Sequence, residues 1–366
     1  MIASLKPRVA LLFGGHSLEH SVSCISAWWT LQHIDHSKYL VVPIAIDKKG
    51  KWHVLKMSAI KPYLSLNKSL IEQVDSEESI PTGWLDPRFE SGNELFSPSL
   101  IKKSIDVAYV MIHGFPGEDG SLAGLFSYLD IPVVGCGAMA LSIGMHKIMS
   151  KQIVSGAGID VAKYQAVKKS NPYSVDAIVD TLELPLFVKP VNSGSSIGIS
   201  KVHNKEGLRE SIELAFNFSN EVLIESMVYG REIEVAVVEI EGRAVACPLG
   251  EIISGSDFYS YSAKYDKNSP ATTRLPQDID PGAYKNLQET AIKVFEALSF
   301  KGMGRIDFFL TKKNRVVFNE VNAIPGFTPI SLFPMMAKAH GISGIELTTL
   351  LIENALAKTD SLSLLC

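Results

Sequence analysis

Apolar runs alternate with stretches of helical spacing through the first third of the chain. Residues 8–13 form an apolar run that stops at Gly14-Gly15, and apolar residues recur at helical intervals over residues 21–34. Runs at residues 39–46 and 105–112 predict two more strands, the second ending at His113-Gly114. A helix over 121–129, a strand at 131–134 and a helix over 138–154 follow. Strands separated by helices predict a parallel sheet covered by helices. Ligands bind at the carboxyl ends of strands in such sheets, which puts the loops 14–19 and 113–119 on one rim. Residues from about 56 to 99 mix Pro, Ser, Gly and charge without periodicity and read as a surface insertion.

Beyond Gly158 the pattern becomes one of strands joined by short turns: 161–167, 186–190, 197–202, 222–227, 232–240 and 244–253. A helix fits 205–218 with Asn204 as its N-cap, and Glu241-Gly242-Arg243 between two strand runs reads as a hairpin turn. Residues 254–276 are long for a loop without secondary structure, and loops of that kind are commonly lids or binding loops. A helix over 284–298, strands at 304–310 and 316–320 and two closing helices complete the chain.

The strand pair near the end carries the most chemistry. Side chains alternate faces along a strand, so Arg305 and Asp307 share one face of Gly304-Arg-Ile-Asp-Phe-Phe-Leu310, as do Glu320 and Asn322 on Val316-Val-Phe-Asn-Glu-Val-Asn322. With Lys313-Asn314 as a tight turn, Asp307 lies opposite Glu320 and Arg305 opposite Asn322. Two facing carboxylates repel unless a cation lies between them. Magnesium suits such a pair, because it takes oxygen ligands and shares them with phosphates and water. A half-exposed strand with a solvated polar face fits the same alternation. The next segment, Ala323-Ile-Pro-Gly-Phe-Thr328 leading to Ser331-Leu332, adds a turn and a helix start whose N–H groups can hold a carboxylate or oxyanion.

Other groups are individually weaker. Lys189 ends the apolar run 185–190 ahead of Asn192-Ser-Gly-Ser-Ser-Ile-Gly198, a combination that suits phosphate oxygens and equally fits a plain turn. Lys147, within Met145-His-Lys-Ile-Met-Ser-Lys151, reads as surface charge. Glu225 and Glu232 flank a strand–loop–strand junction, Glu19 follows the first glycine loop, and Lys264-Tyr265 sit in the long loop.

The chain has 366 residues, enough for two or three domains, with 46% hydrophobic and 20% charged residues and a formal net charge of -4. An acidic balance argues against gripping a nucleic-acid backbone. No stretch approaches the roughly 20 apolar residues of a membrane helix. The four cysteines lie far apart without a CxxC pair, which fits a reducing cytoplasm.

Taken in order, Leu12-Phe-Gly-Gly-His-Ser-Leu-Glu-His20 with Val22-Ser23, His113-Gly with Gly117-Glu-Asp-Gly120, Val188-Lys-Pro190 with Gly194-Ser-Ser196, Ala263-Lys-Tyr265, Gly304-Arg-Ile-Asp307 and Asn319-Glu-Val-Asn-Ala-Ile-Pro-Gly-Phe327 resemble the D-alanine–D-alanine ligases of the ATP-grasp superfamily. The resemblance implies a three-domain α/β and α+β fold: an N-terminal parallel-sheet substrate domain (1–137), a central ATP-grasp subdomain with the phosphate loop (138–229) and a C-terminal one with the metal and substrate site (230–366). It implies that Lys147 and Lys189 contact ATP phosphates, that Ser195 and Ser196 belong to the loop closing over them, and that Glu225 and Glu232 hold adenine and ribose. Asn319 and Lys264 border the nucleotide. Asp307, Glu320 and Asn322 would ligate two magnesium ions, with manganese as a substitute.

For the amino acids, the resemblance assigns Glu19, Val22 and His113 to the first D-alanine and Arg305 with the Gly326 amide to its carboxylate. Ser331, Leu332 and Lys264 fall to the second, and Glu19, Ser195 and Tyr265 form a hydrogen-bonded chain across the site. It further implies a cytoplasmic homodimer supplying D-alanyl-D-alanine for peptidoglycan. Three positions depart from the usual pattern: Ser21 replaces an acidic residue, and Phe115-Pro116 replaces a Pro-Asn pair. Tyr265 favours an amine as the second nucleophile. The alternatives are a D-alanine–D-serine ligase and a non-catalytic ATP-binding regulatory module. A dinucleotide-binding dehydrogenase fits the first strands only, since no GxGxxG follows Phe13.

Overall fold

The computed structural model describes residues 6–58, 98–253, 272–328 and 330–362. Most of the 56–99 insertion and of the 254–276 loop, with Lys264 and Tyr265, lies outside the described residues.

Three sheets organise the chain. The first has the order β3-β2-β1-β4, from β1 (Arg8–Gly14), β2 (Leu40–Ile46), β3 (Trp52–Val54) and β4 (Val107–Val110). β1 pairs in parallel with both β2 and β4. Every residue of β1 after Arg8 is buried, with Ala10 and Leu12 in one apolar cluster and Val9, Leu11 and Phe13 in another. A strand covered on both faces explains why the sequence shows a continuous apolar run there rather than an alternation. Helix α1 (His20–His33) follows β1, and α2 (Pro98–Ser104) precedes β4. Of the run expected over 131–134, only Val133 pairs, as an isolated bridge to Ala108, since β4 is four residues long and offers a short edge.

The helix expected over 138–154 is two helices, α4 (Ala138–Met145) and α5 (Lys147–Gly156), after α3 (Ser121–Tyr128). His146 breaks the run with an extended ψ of 94°, and its side chain accepts from the Met149 N–H. Apolar spacing continues across the break, so periodicity alone does not show it.

The second sheet, β5-β8-β6-β7, is antiparallel and uses β5 (Tyr164–Lys168), β6 (Leu186–Pro190), β7 (Ser200–Val202) and β8 (Glu221–Ser226). Helices α6 (Val175–Leu182) and α7 (Lys205–Ala215) bury Ile178 and Ile212 against Val188 and Ile224. Ser174 and Asn204 cap them. The third sheet has the order β11-β10-β9-β12-β13, from β9 (Gly230–Ile240), β10 (Arg243–Ile253), β11 (Thr272–Arg274), β12 (Met303–Thr311) and β13 (Val316–Asn322). Glu241 and Gly242 have φ of 50° and 76°, which makes the β9–β10 turn the left-handed two-residue type that matches strand twist. Helices α8 (Pro281–Ala297), α9 (Leu332–Ala339) and α10 (Gly344–Leu362) close the chain. One apolar cluster runs from Leu12 in the first sheet to Phe318 in the third, so these two layers share a core.

Candidate active site

The β12–β13 hairpin has the expected register at its functional end: Asp307 pairs with Glu320 and Arg305 with Asn322. The route to it differs from a simple tight turn. Leu310 pairs with Val316 and Phe308 with Phe318, and the register then shifts by one at Asn319. The shift resolves a conflict in the sequence. Strict alternation would put Val316, Phe318, Glu320 and Asn322 on one face. With Asn319 as the extra residue of a β-bulge, Val316 and Phe318 join Phe308 and Leu310 in the core, while Glu320 and Asn322 join Asp307 and Arg305 on the other face.

β9 adds to that face. Glu234 pairs with Asp307 from the other side, so Glu234, Asp307 and Glu320 lie in one row across three strands. Arg305 offsets the repulsion: its Nε donates to Asp307 Oδ1 at 2.8 Å, its Nη2 donates to Oδ2 at 2.7 Å, and Nε stands 3.2 Å from Glu234 Oε2. Burial works against the guanidinium charge, but these carboxylates outweigh it and raise its pKa well above the ordinary value. Glu234 was not singled out from the sequence, although the alternation Glu232-Ile-Glu234 at the head of a strand carried the signal.

Helix α5 delivers two lysines to the hairpin. Lys147 Nζ donates to the Ser193 carbonyl at 2.8 Å and pairs with Glu320 at 3.3 Å. It is buried, not the surface charge that its local sequence suggests. A cation in the first turn of a helix opposes the helix dipole, and Glu320 offsets that cost. Lys151, also missed, is 1% exposed. It donates to the Asn319 carbonyl at 2.8 Å and pairs with Glu225 at 2.7 Å. Lys189 pairs with Glu225 at 2.6 Å and donates to Asn319 Oδ1 at 3.2 Å. Burial alone would raise the Glu225 pKa, yet the two ammonium groups hold it down at about 2. A cleft of about 800 Å³ is lined by Lys189, Ser196, Glu225, Glu232 and Asn319, and also by Lys151.

A second cavity, of about 170 Å³, brings together Glu19, His113, Ser195, Arg305, Gly326 and Ser331. Val22, Lys147, Glu320, Asn322 and Leu332 complete its walls. Ser195 Oγ donates to Glu19 Oε1, joining the first sheet's loop to that of the second. The glycines here leave little room: a Cβ on either Gly114 or Gly194 would sit 3.2 Å from Glu19 Oε2, and Gly114 also holds a φ of 69° that favours glycine. Ser195 and Ser196 hold φ of 49° and 59°, a region costly for residues with a Cβ. Ser331 Oγ accepts from the Thr328 N–H at 3.0 Å. Glu118 borders the same cavity and accepts from the Gly114 N–H at 2.7 Å. Burial, with the Glu19 charge next, pushes its carboxyl up to about 8.

Asn322 Oδ1 is buried and accepts no hydrogen bond. An unpaired buried acceptor is costly, and beside two carboxylates it suits a hard cation. Among the described residues no three His, Cys, Asp or Glu side chains converge as a metal site by themselves. A cation here would therefore take Asp307, Glu320 and Asn322 and leave other positions to phosphate and water.

A parallel-sheet layer and two antiparallel sheets that meet at a cleft lined by lysines and carboxylates define an ATP-grasp fold. Residues 8–136 match the family described as D-ala D-ala ligase N-terminus, and residues 153–353 match D-ala D-ala ligase C-terminus. The chain belongs to the D-alanine–D-alanine ligase family. It is 40% identical over 359 residues to a D-alanine–D-alanine ligase of Chlorobaculum tepidum, covering 96% of this chain and 98% of that one. In structure it resembles a D-alanine–D-alanine ligase from Coxiella burnetii, with TM-score 0.80, 29% identity and coverage of 98% and 97%. It also resembles the VanG D-Ala:D-Ser ligase from Enterococcus faecalis, with TM-score 0.79, 33% identity and coverage of 96% and 100%. Among the described residues, no helix is long and apolar enough to cross a membrane.

Proposed function

We propose that this protein joins two D-alanine molecules at the expense of ATP, through a D-alanyl phosphate, to supply the dipeptide of peptidoglycan. The observation that carries the reading is the single face bearing Arg305, Asp307, Glu320 and Asn322 beside the Glu19–Ser195 contact. Glu19, with Val22 and His113 beside it, takes the ammonium group of the first D-alanine. Arg305 and the Gly326 N–H hold its carboxylate. Lys147 and Lys189 bind the ATP phosphates with Ser195 and Ser196 over them, and Glu225, Glu232 and Asn319 border adenosine. Asp307, Glu320 and Asn322 would hold magnesium, whose charge would offset that of the transferring phosphoryl oxygens.

The carboxylate of the first D-alanine attacks the γ-phosphorus, and ADP leaves. The ammonium group of the second, seated by Ser331, Leu332 and Lys264, loses a proton to solvent, and the resulting amine attacks the acyl carbon. Arg305 and Gly326 hold the oxyanion that forms, and phosphate leaves. No protein nucleophile is required. By the family likeness Tyr265 would act together with Glu19 and Ser195, and closure of the 254–276 loop would keep water from the acyl phosphate. We assign the domains as 1–137, 138–229 and 230–366, and place the protein in the cytoplasm as a homodimer. The likeness to a D-Ala:D-Ser ligase favours D-serine as the second amine in the alternative reading.

Phosphate release from ATP should depend on D-alanine, and mixed D-alanine and D-serine should yield mainly D-alanyl-D-alanine. Glu320→Gln should cut turnover at least about 100-fold, the scale of losing a positioned charge-stabilising group, with an unchanged circular dichroism spectrum. A fully active Glu320→Gln enzyme would refute the metal assignment.

A further inference from the structure

His113 and Ser26 form a buried clamp on the turn that carries Gly326. Ser26 lies on α1, is fully buried, and its Oγ accepts from the Phe327 N–H at 3.1 Å. The same oxygen stands 3.0 Å from His113 Nε2. On the other side of the ring, His113 Nδ1 is 3.0 Å from the Ile324 carbonyl. A carbonyl only accepts, so Nδ1 carries the hydrogen. Nε2 of the neutral ring is then an acceptor, and the Ser26 hydroxyl donates to it. Burial lowers the His113 pKa, in keeping with the neutral ring. The turn is thus tied at both ends to the first sheet's layer, through the carbonyl of Ile324 and the N–H of Phe327. Between those ends stand Pro325, which has no N–H, and Gly326, whose N–H is the one backbone donor left in the turn.

We propose that Ser26 is a positioning residue of the ligase reaction: through Phe327 and His113 it fixes the Pro325–Gly326 turn so that the Gly326 N–H meets the reacting carboxyl group. This rests on the role given to Gly326 above. Only a residue that both donates and accepts at one atom can close the clamp, and a hydroxyl does so with the least volume. Ser26 touches no substrate itself, so its effect reaches turnover through geometry. A shift of about 1 Å in such a group can cost about 100-fold in rate.

The test compares wild type with Ser26→Ala and Ser26→Thr, and with Ser26→Cys should alanine prevent folding. Amide hydrogen exchange at Phe327 should quicken at least about tenfold in Ser26→Ala, while core amides of β1 and β9 stay protected and Ser26→Thr stays slow. In steady-state assays, kcat of Ser26→Ala should fall about 10- to 100-fold while KM for ATP shifts less than about twofold. Unchanged Phe327 exchange in Ser26→Ala overturns the clamp, whatever the enzyme's substrate proves to be. Faster exchange with kcat within about twofold of wild type overturns the positioning role. Wild-type protein inert toward D-alanine, with the exchange result intact, counts against the ligase reading rather than the clamp.

Discussion

Single residues in this site are legible by charge and illegible by environment. Glu118 shows the difference. In the sequence it is one acidic letter in Gly117-Glu-Asp-Gly120, and nothing marks it as unusual. In the fold it borders the cavity of about 170 Å³, where burial and the Glu19 charge push its carboxyl from an ordinary 4.5 up to about 8. Across that window the folded protein binds more protons than the unfolded chain. Stability must therefore fall as pH rises through it. Glu118→Gln imitates the protonated group permanently. Its urea midpoint should lose this part of the pH dependence between about pH 5 and about pH 8. An identical slope in variant and wild type would show that Glu118 is not the titrating group. Lys147 and Lys151 teach a related lesson. Lys147 reads as surface charge and Lys151 was not singled out, yet both are buried because carboxylates and carbonyls from other elements meet them.

At the scale of elements, the pairing of Asp307 with Glu320 holds, but a tight turn at Lys313-Asn314 predicts it, whereas the fold reaches it through a different turn register and a compensating bulge, neither of which was readable. A bulge costs ladder hydrogen bonds, and whether it forms depends on what receives the freed groups. Here the Phe318 N–H donates to the Asp160 carbonyl at 2.8 Å, and Asn319 accepts from both Lys151 and Lys189. Lys151 thus fastens α5 to the bulge and neutralises Glu225 at once. Lys151→Met should lower folding stability by about 3 kcal/mol, the usual scale for stranding one partner of a buried ion pair. Urea denaturation followed by circular dichroism would measure it, and a loss below about 1 kcal/mol would mean that Lys189 alone suffices for Glu225. The split between α4 and α5 escaped the sequence for a similar reason, since His146 interrupts the backbone and not the apolar spacing.

Across the whole molecule, the site exists only where layers meet. Glu19 and Ser195 are 176 residues apart in the chain, and both line the cavity of about 170 Å³. Ser195→Ala removes a hydrogen bond to a charged group, worth about 1.5–3 kcal/mol where the pair acts together. The expected result is a fall of about 10- to 100-fold in kcat/KM for D-alanine, read by coupled phosphate release. Folding stability should change by less than about 1 kcal/mol, because water can solvate this part-buried pair once it separates. A large stability loss with normal kcat/KM would make the contact structural.

By itself the sequence determined the parallel first layer, the strand–turn texture beyond Gly158, the hairpin face of Arg305, Asp307, Glu320 and Asn322, and the family, because periodicity and motif spacing are properties of neighbours along the chain. Tertiary structure alone decided the carboxylate row with Glu234, the burial of Lys147 and Lys151, the raised carboxyl pKa of Glu118 and the Ser26 clamp. Each depends on the electric field and the hydrogen-bond partners supplied by residues distant in sequence, and those are set only when the three sheets pack.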